Sequence, residues 1–165
     1  MNWINAPIEG VRITPTQVNT DNRGWLTELF RSDDQIPINP AMAYLSSTKP
    51  GVSRGPHQHL SQTDHFFFIS GTWIVKLWDT RPSFPSSLHQ FTIKRPTLVS
   101  VPPGVIHAYA NAGLLSALVL NLPNQLFKGV NKHFPVDEVR HESNPNFPLN
   151  NIQLNWLQRL FVTFS

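Results

Sequence analysis

Between Gly51 and Gly71 the chain reads GVSRGPHQHLSQTDHFFFISG, a stretch rich in side chains that can move a proton or donate a lone pair. His57 and His59 lie two residues apart. On extended backbone successive side chains alternate, so both imidazoles leave the same face of one strand. A neutral imidazole is a base near neutral pH and a ligand for many metals. Asp64 stands five residues past His59, an odd offset that turns it to the other face unless the chain bends. Leu60-Ser61-Gln62-Thr63 can supply that bend. Taken alone, a His-x-His pair is more often structural or at the surface than ligating. What it becomes depends on the elements that bring other groups to it.

Those elements read as β throughout. The chain has 165 residues, enough for one domain with a sizeable core, and we expect a single domain over 1–165. With 40% apolar and only 14% charged residues, and 15 prolines, short strands joined by rigid turns are favoured over long helices. Strands are expected at Ile8 to Gln17, Trp25 to Phe30 and Met42 to Ser47, with Asp21-Asn22-Arg23-Gly24 as a turn. Phe66 to Ile69 and Thr72 to Trp78 read as a hairpin about Ser70-Gly71, with Trp73, Val75 and Leu77 on one face and Ile74, Lys76 and Trp78 on the other. The three phenylalanines from Phe66 to Phe68 read as core. Further strands are expected at Leu88 to Ile93, Thr97 to Val101, His107 to Ala110 and Ala117 to Leu122. Ile152, Trp156, Leu160, Phe161 and Phe164 fall at helical spacing and suggest a short C-terminal helix.

Composition also excludes. There is no cysteine, so no disulfide or thiolate ligand exists and any metal must be held by histidine and carboxylate. The net charge of +3 is dispersed and carries no nucleic-acid-binding block, though it suits an anionic small ligand. No basic segment followed by an apolar core opens the chain, and no run reaches the roughly 18 apolar residues of a membrane span. A soluble, cytoplasmic protein with no membrane or nucleic-acid partner is the expectation.

The spacing from Gly51 through His57, His59 and Asp64 to Gly71 resembles the first motif of the cupins, with Asp64 where that family usually has Glu. Pro102-Pro103-Gly104-Val105-Ile106-His107, followed by Asn111, resembles the second, although Pro96 stands where a preceding glycine is usual. The pair implies an all-β cupin, a double-stranded β-helix or jelly-roll barrel. It also implies a metal set of His57, His59, Asp64 and His107. Three imidazoles and a carboxylate suit divalent Fe, Mn, Ni, Zn or Cu and leave coordination positions open; no organic cofactor is indicated. Without metal, His59 and Asp64 would form an ion pair.

A narrower resemblance covers about residues 18–135. Asp21-Asn22-Arg23-Gly24, Glu28 and Gly51-Val52-Ser53-Arg54-Gly55-Pro56-His57 are similar to motifs of the dTDP-4-dehydrorhamnose 3,5-epimerases. Asp79-Thr80-Arg81 also stands where that family has a counterpart. The resemblance implies that Arg23 and Glu28 contact the nucleotide, Arg54 the pyrophosphate, and His57 removes a proton beside the sugar's keto group. Composition alone makes Arg23 a solvated turn charge and Glu28 an outward-facing strand residue. A homodimer is implied as well. The chain departs from that family in four places. Asp64 replaces a lysine, His59 replaces a glutamine, no tyrosine stands near Leu126 and Phe127, and Glu142 is the nearest candidate for the acid that orients the base.

Three functions are therefore in play. One is an isomerase acting on a nucleotide-linked 4-keto-6-deoxy sugar, metal-assisted or not. The second is a metal-dependent cupin enzyme (dioxygenase, decarboxylase, hydrolase or lyase) on another small molecule, and the third a non-catalytic nucleotide-sugar-binding cupin. His65 is expected to be structural, and His89, His133 and His141 to lie at the surface.

Overall fold

A computed structural model describes residues 3–35 and 37–149. Its strands are β1 (Ile4–Asn5), β2 (Arg12–Pro15), β3 (Val18–Asp21), β4 (Gly24–Thr27), β5 (Tyr44–Thr48), β6 (Ser53–Gln58) and β7 (Asp64–Phe68). There follow β8 (Trp73–Asp79), β9 (Ser87–Ile93), β10 (Thr97–Val101), β11 (Val105–Asn111), β12 (Ala117–Asn121) and β13 (Val139–Arg140). A 3₁₀ turn at Val130–Lys132 is the only helical element among the described residues. The expected C-terminal helix, with Ile152, Trp156, Leu160, Phe161 and Phe164, lies outside them. No described helix is long and apolar enough to cross a membrane.

Six strands form one sheet in the order β1-β9-β8-β11-β6-β13, and five form a second in the order β2-β10-β7-β12-β5. From β5 to β12 the chain changes sheet at every connection except β8 to β9, which is a true hairpin. This alternation makes a jelly roll, and the all-β expectation holds. The hairpin expected about Ser70-Gly71 does not form: β7 belongs to the five-stranded sheet and β8 to the six-stranded one. Every residue of β7 is buried, so it must pair on both edges within one sheet, with β10 and β12. Gly71, at φ +89°, turns the chain across the gap, where a Cβ would come within 2.4 Å of the Ala117 Cβ.

The core fills the space between the sheets. Phe66 and Phe68 of β7 meet Trp73, Val75 and Leu77 of β8 and Tyr109 of β11, all buried. Phe68 packs edge-on against both Trp73 and Tyr109, with centroids 5.4 and 5.3 Å away. On the outer face of the six-stranded sheet Trp78, Ile106 and Ala108 are covered by Phe147, Trp3 and Leu149. Both faces of β8 therefore sit where the alternation puts them. Phe68→Ala should cost about 3–5 kcal/mol of stability, read from denaturant titration, because the two rings beside it cannot collapse into the space.

The strands β3 and β4 stand apart as a two-stranded hairpin that pairs with neither sheet. Its Trp25 and Leu26 are exposed.

Candidate active site

The site is made where β6, β7 and β11 converge at one end of the barrel. In β6 the register slips: His107 pairs with His57, but Tyr109 pairs with Arg54, so β6 carries one extra residue. Gly55 makes this bulge possible, since its φ is +79° and a Cβ there would lie 2.5 Å from the His107 carbonyl oxygen. Three residues normally separate opposite faces of a strand. The bulge instead lets Arg54 and His57 line the same cavity.

Past β6 the chain bends at Leu60-Ser61, as its composition suggested, and brings Asp64 back to the imidazoles. Asp64 Oδ2 is 3.1 Å from His59 Nε2 and 3.4 Å from His107 Nε2. His107 Nε2 is 3.0 Å from His57 Nε2. The two sequence motifs are tied together directly, because the Gly104 N–H donates to the His59 carbonyl at 2.7 Å. Asn111 closes the turn after β11, donating to the carbonyls of Thr48 and Leu115 and accepting from Gly113. The second motif thus supplies one site residue and one structural one.

Hydrogen bonds behind the imidazoles decide what faces the centre. His59 Nδ1 contacts the Asp137 carbonyl, and His107 Nδ1 lies 3.1 Å from the Val105 carbonyl. Carbonyls only accept, so each Nδ1 carries its proton and each Nε2 is turned toward Asp64. In the neutral imidazoles both Nε2 atoms are lone pairs aimed at a carboxylate oxygen. That oxygen, Asp64 Oδ2, is buried and makes no aligned hydrogen bond. Such an arrangement of acceptors is stable only around a shared positive charge, either a proton on an imidazole or a cation. Burial opposes a charge on His59, but Asp64 outweighs it and its pKa rises. Burial likewise opposes ionisation of Asp64, and the two imidazoles outweigh it to hold that carboxyl well below the usual range. His57 is different. Burial, then the neighbouring His107 and His59, push its pKa down to about 3, so it is neutral at physiological pH.

His57 and His59 open onto a cavity of about 1380 Å³. Its outer wall is the segment from Pro123 to Glu138, held down by Asp137. The Asp137 carboxylate accepts the N–H groups of Leu60, Ser61 and Gln62 at 2.9–3.0 Å and the Ser61 hydroxyl at 2.8 Å. Burial works against its charge, but these donors win and lower its pKa. A carboxylate with a lowered folded-state pKa stabilises above its unfolded value, and that stability is lost as pH falls through the folded value. Asp137→Ala should therefore cost about 1–3 kcal/mol at pH 7, and the difference from wild type should shrink below about pH 4. Melting curves across pH read both.

Of the residues expected to act, the fold brings His57, His59, Asp64 and His107 together, with ligand atoms all within 4.8 Å of one another. Arg54 joins them on the cavity wall, fixed by bonds to the Thr48 hydroxyl and the Ser47 carbonyl, each 2.9 Å. Arg23 and Glu28 are not brought there. Arg23 is exposed at the β3–β4 turn and paired with Asp21; Glu28 is exposed beside Arg31. Arg81 is bound to Asp79 and lies over the Phe84 ring.

The acid nearest the base is Glu138, not Glu142. Glu138 Oε1 is 3.9 Å from His57 Nδ1, whereas the more exposed Glu142 stands 3.7 Å from Arg140. The short strand β13 accounts for this: pairing Arg140 with His57 delivers Glu138 to the base, and no periodicity in that Pro-rich region announces it. His65 is structural as expected, bonded to Ser100 at 2.8 Å. His133 is exposed, but His89 and His141 are half-buried, one tilted against Phe91 and the other edge-on to Phe147. Leu126 and Phe127 line the cavity where no tyrosine was found, yet two other tyrosines, Tyr44 and Tyr109, line it as well. Burial and then Asp64 raise the Tyr44 pKa to about 12.

Comparison with known proteins agrees with this fold. Residues 19–133 match the family described as polysaccharide biosynthesis C-terminal domain. The chain is 37% identical over 126 residues to the probable low-salt glycan biosynthesis epimerase Agl13 of Haloferax volcanii, covering 73% of this chain and 81% of that one. It is 31% identical over 110 residues to the spore coat polysaccharide biosynthesis protein SpsL of Bacillus subtilis, covering 64% and 73%. A dTDP sugar isomerase from Desulfovibrio desulfuricans shares the fold, with a TM-score of 0.73 at 22% identity over 87% of this chain and 90% of that one.

Proposed function

The chain belongs to the polysaccharide biosynthesis C-terminal domain family, and from that premise we propose that it is a sugar-nucleotide isomerase. Its substrate is a nucleotide-linked 4-keto-6-deoxy sugar, of the dTDP class, and the step is proton transfer at a carbon beside the keto group. The observation that carries this reading is His57, neutral and backed by Glu138 on the floor of a cavity large enough for such a ligand. A carbon acid beside a ketone yields to an imidazole base when the developing oxyanion is stabilised. The Glu138 carboxylate, 3.9 Å from Nδ1, is placed to stabilise the imidazolium that forms. Arg54, already held by two hydrogen bonds, presents its guanidinium to the pyrophosphate. Incubation with dTDP-4-keto-6-deoxyglucose in D2O tests the reading. Deuterium should appear beside the keto carbon, and an unlabelled sugar from a panel of dTDP-keto sugars would overturn it.

A second reading concerns the centre itself. The acceptor atoms around Asp64 Oδ2 fit a divalent transition metal held by His57, His59, Asp64 and His107. Bound there, a metal would supply Lewis acidity to the keto oxygen in place of the lysine absent at position 64. A metal on His57 would occupy the lone pair that the first reading uses as base, so at this residue the two readings exclude each other.

The functional unit we propose is a homodimer acting in the cytoplasm. The edge strand β5 leaves Leu45 exposed, and the β3–β4 hairpin leaves Trp25 and Leu26 exposed. Arg23 and Glu28 do not line their own chain's cavity, so a nucleotide contact by either would be made across that dimer. Light scattering and fractionation test assembly and location.

A further inference from the structure

One bend of the chain holds both ends of the cavity's outer wall. At the first end the Asn124 side-chain carbonyl accepts the Thr63 N–H at 2.8 Å, and the Thr63 carbonyl accepts the Asn124 N–H at 3.1 Å. At the other, the Asp137 carboxylate takes the N–H groups of Leu60, Ser61 and Gln62. Residues 125–136 thus leave and rejoin the barrel at one place, as an Ω-loop does. We propose that they form a lid, hinged at Asn124 and Asp137, that closes over the diphosphate of a bound nucleotide sugar. The identity of that ligand rests on the isomerase reading above.

The body of the loop is bonded to itself and can move as one piece. The Gly129 N–H donates to the Leu126 carbonyl at 2.8 Å, the Lys132 N–H to the Gly129 carbonyl at 3.2 Å and the Phe134 N–H to the Lys128 carbonyl at 2.9 Å. Gly129 lies so close to the Phe134 ring that a Cβ there would run into it. Ties to the barrel between the hinges are weak. The Phe127 N–H meets the Met42 sulfur, a poor acceptor, at 3.2 Å, and the Ser61 hydroxyl reaches the Gln125 side chain only at 3.4 Å.

The surface this loop offers the cavity is apolar and uncovered. Phe127, Val130 and Phe134 line the cavity, yet they are 51%, 63% and 62% exposed. Water leaves such side chains when the loop comes down on a ligand, and that release favours the closed position. The loop also carries charge that suits the ligand. Lys128 and Lys132 line the same cavity, both exposed and neither ion-paired among the described residues, and no acid stands between Asn124 and Val136. Arg54 lines the cavity from β6, the fixed wall. A diphosphate held by Arg54 draws the two lysines, and the loop with them, toward it.

Closure reaches the chemistry through the hinges. The bend Leu60-Ser61-Gln62-Thr63 that receives both of them also joins His59 to Asp64, so the loop cannot settle without loading the segment that places those two residues. A closed lid keeps bulk water from the enolate as well.

Amide hydrogen exchange of the full chain, read by mass spectrometry with and without dTDP, tests the lid. Saturating dTDP should slow exchange within 125–136 by about tenfold or more and leave the buried strand β7 unchanged. Lys128→Met/Lys132→Met, a change at two exposed positions, should weaken dTDP binding by about tenfold, more at low salt than at high, and remove the protection of 125–136 even at saturation. dTDP that binds without protecting 125–136, or that protects the double variant equally, would overturn the lid and leave the isomerase reading standing. Protection by dTDP without deuterium entering any dTDP-keto sugar would do the reverse, and a wild-type protein that binds no dTDP removes the lid outright.

Discussion

His57→Asn should lower both solvent exchange and product formation by about 10²–10⁴-fold, together and with little change in dTDP binding. Both fall because His57 removes the proton in either process. Asparagine stops at the level of Nδ1 and leaves His107 Nε2 without the ring nitrogen that lies 3.0 Å from it, so the melting temperature is read alongside activity. Exchange measured by NMR alongside the melting temperature checks the prediction. A variant that melts as wild type does and still exchanges at the wild-type rate would remove His57 from the mechanism.

Asp64→Asn addresses the centre. If the four donors hold a metal, wild type purified without nickel resin, or reconstituted with Fe(II), Mn(II) or Zn(II), should carry about one equivalent. The substitution removes an anionic ligand, and affinity should fall by more than about 100-fold, beyond the usual effect of disturbing a ligand's neighbour. Elemental analysis of the two proteins is decisive. Equal metal content, or none in either after reconstitution, makes Asp64 an ion-pair partner of His59 and His107 and leaves proton transfer to His57 and its neighbours. The same buried carboxylate also accepts from Gln62 and Asn121 at 2.9 and 2.8 Å, so its loss should be felt in stability as well.

The residues legible in the sequence were those whose spacing is local. The His-x-His pair, the bend before Asp64 and the turn before His107 sit within motifs, and strand geometry alone orients the first pair. Several later strands, from Ser87 to Asn121, fell close to their expected places because alternation and turn residues mark them. What was not legible depended on partners distant in the chain. The false hairpin at Ser70-Gly71 arose because a tight turn between apolar runs looks the same whether the runs pair or cross to opposite sheets. Glu138 escaped because only pairing between β13 and β6 brings it to His57. The Gly55 bulge, by contrast, left its mark in the Arg-Gly-Pro-His run, though alternation alone would have placed Arg54 wrongly.

The pairing of His57 with His107 spans 50 residues, and β1 pairs with β9 across an even longer stretch. Loop closure must precede any reward from such contacts, so folding should be slow for a chain of this size and its rate governed by topology. The reactive centre depends on such contacts. A nascent or partly folded chain would hold its histidines on separate, unpaired segments, and activity recovered during refolding should track completion of the barrel and not the earlier appearance of β structure. Chemical competence here is a property of the completed barrel.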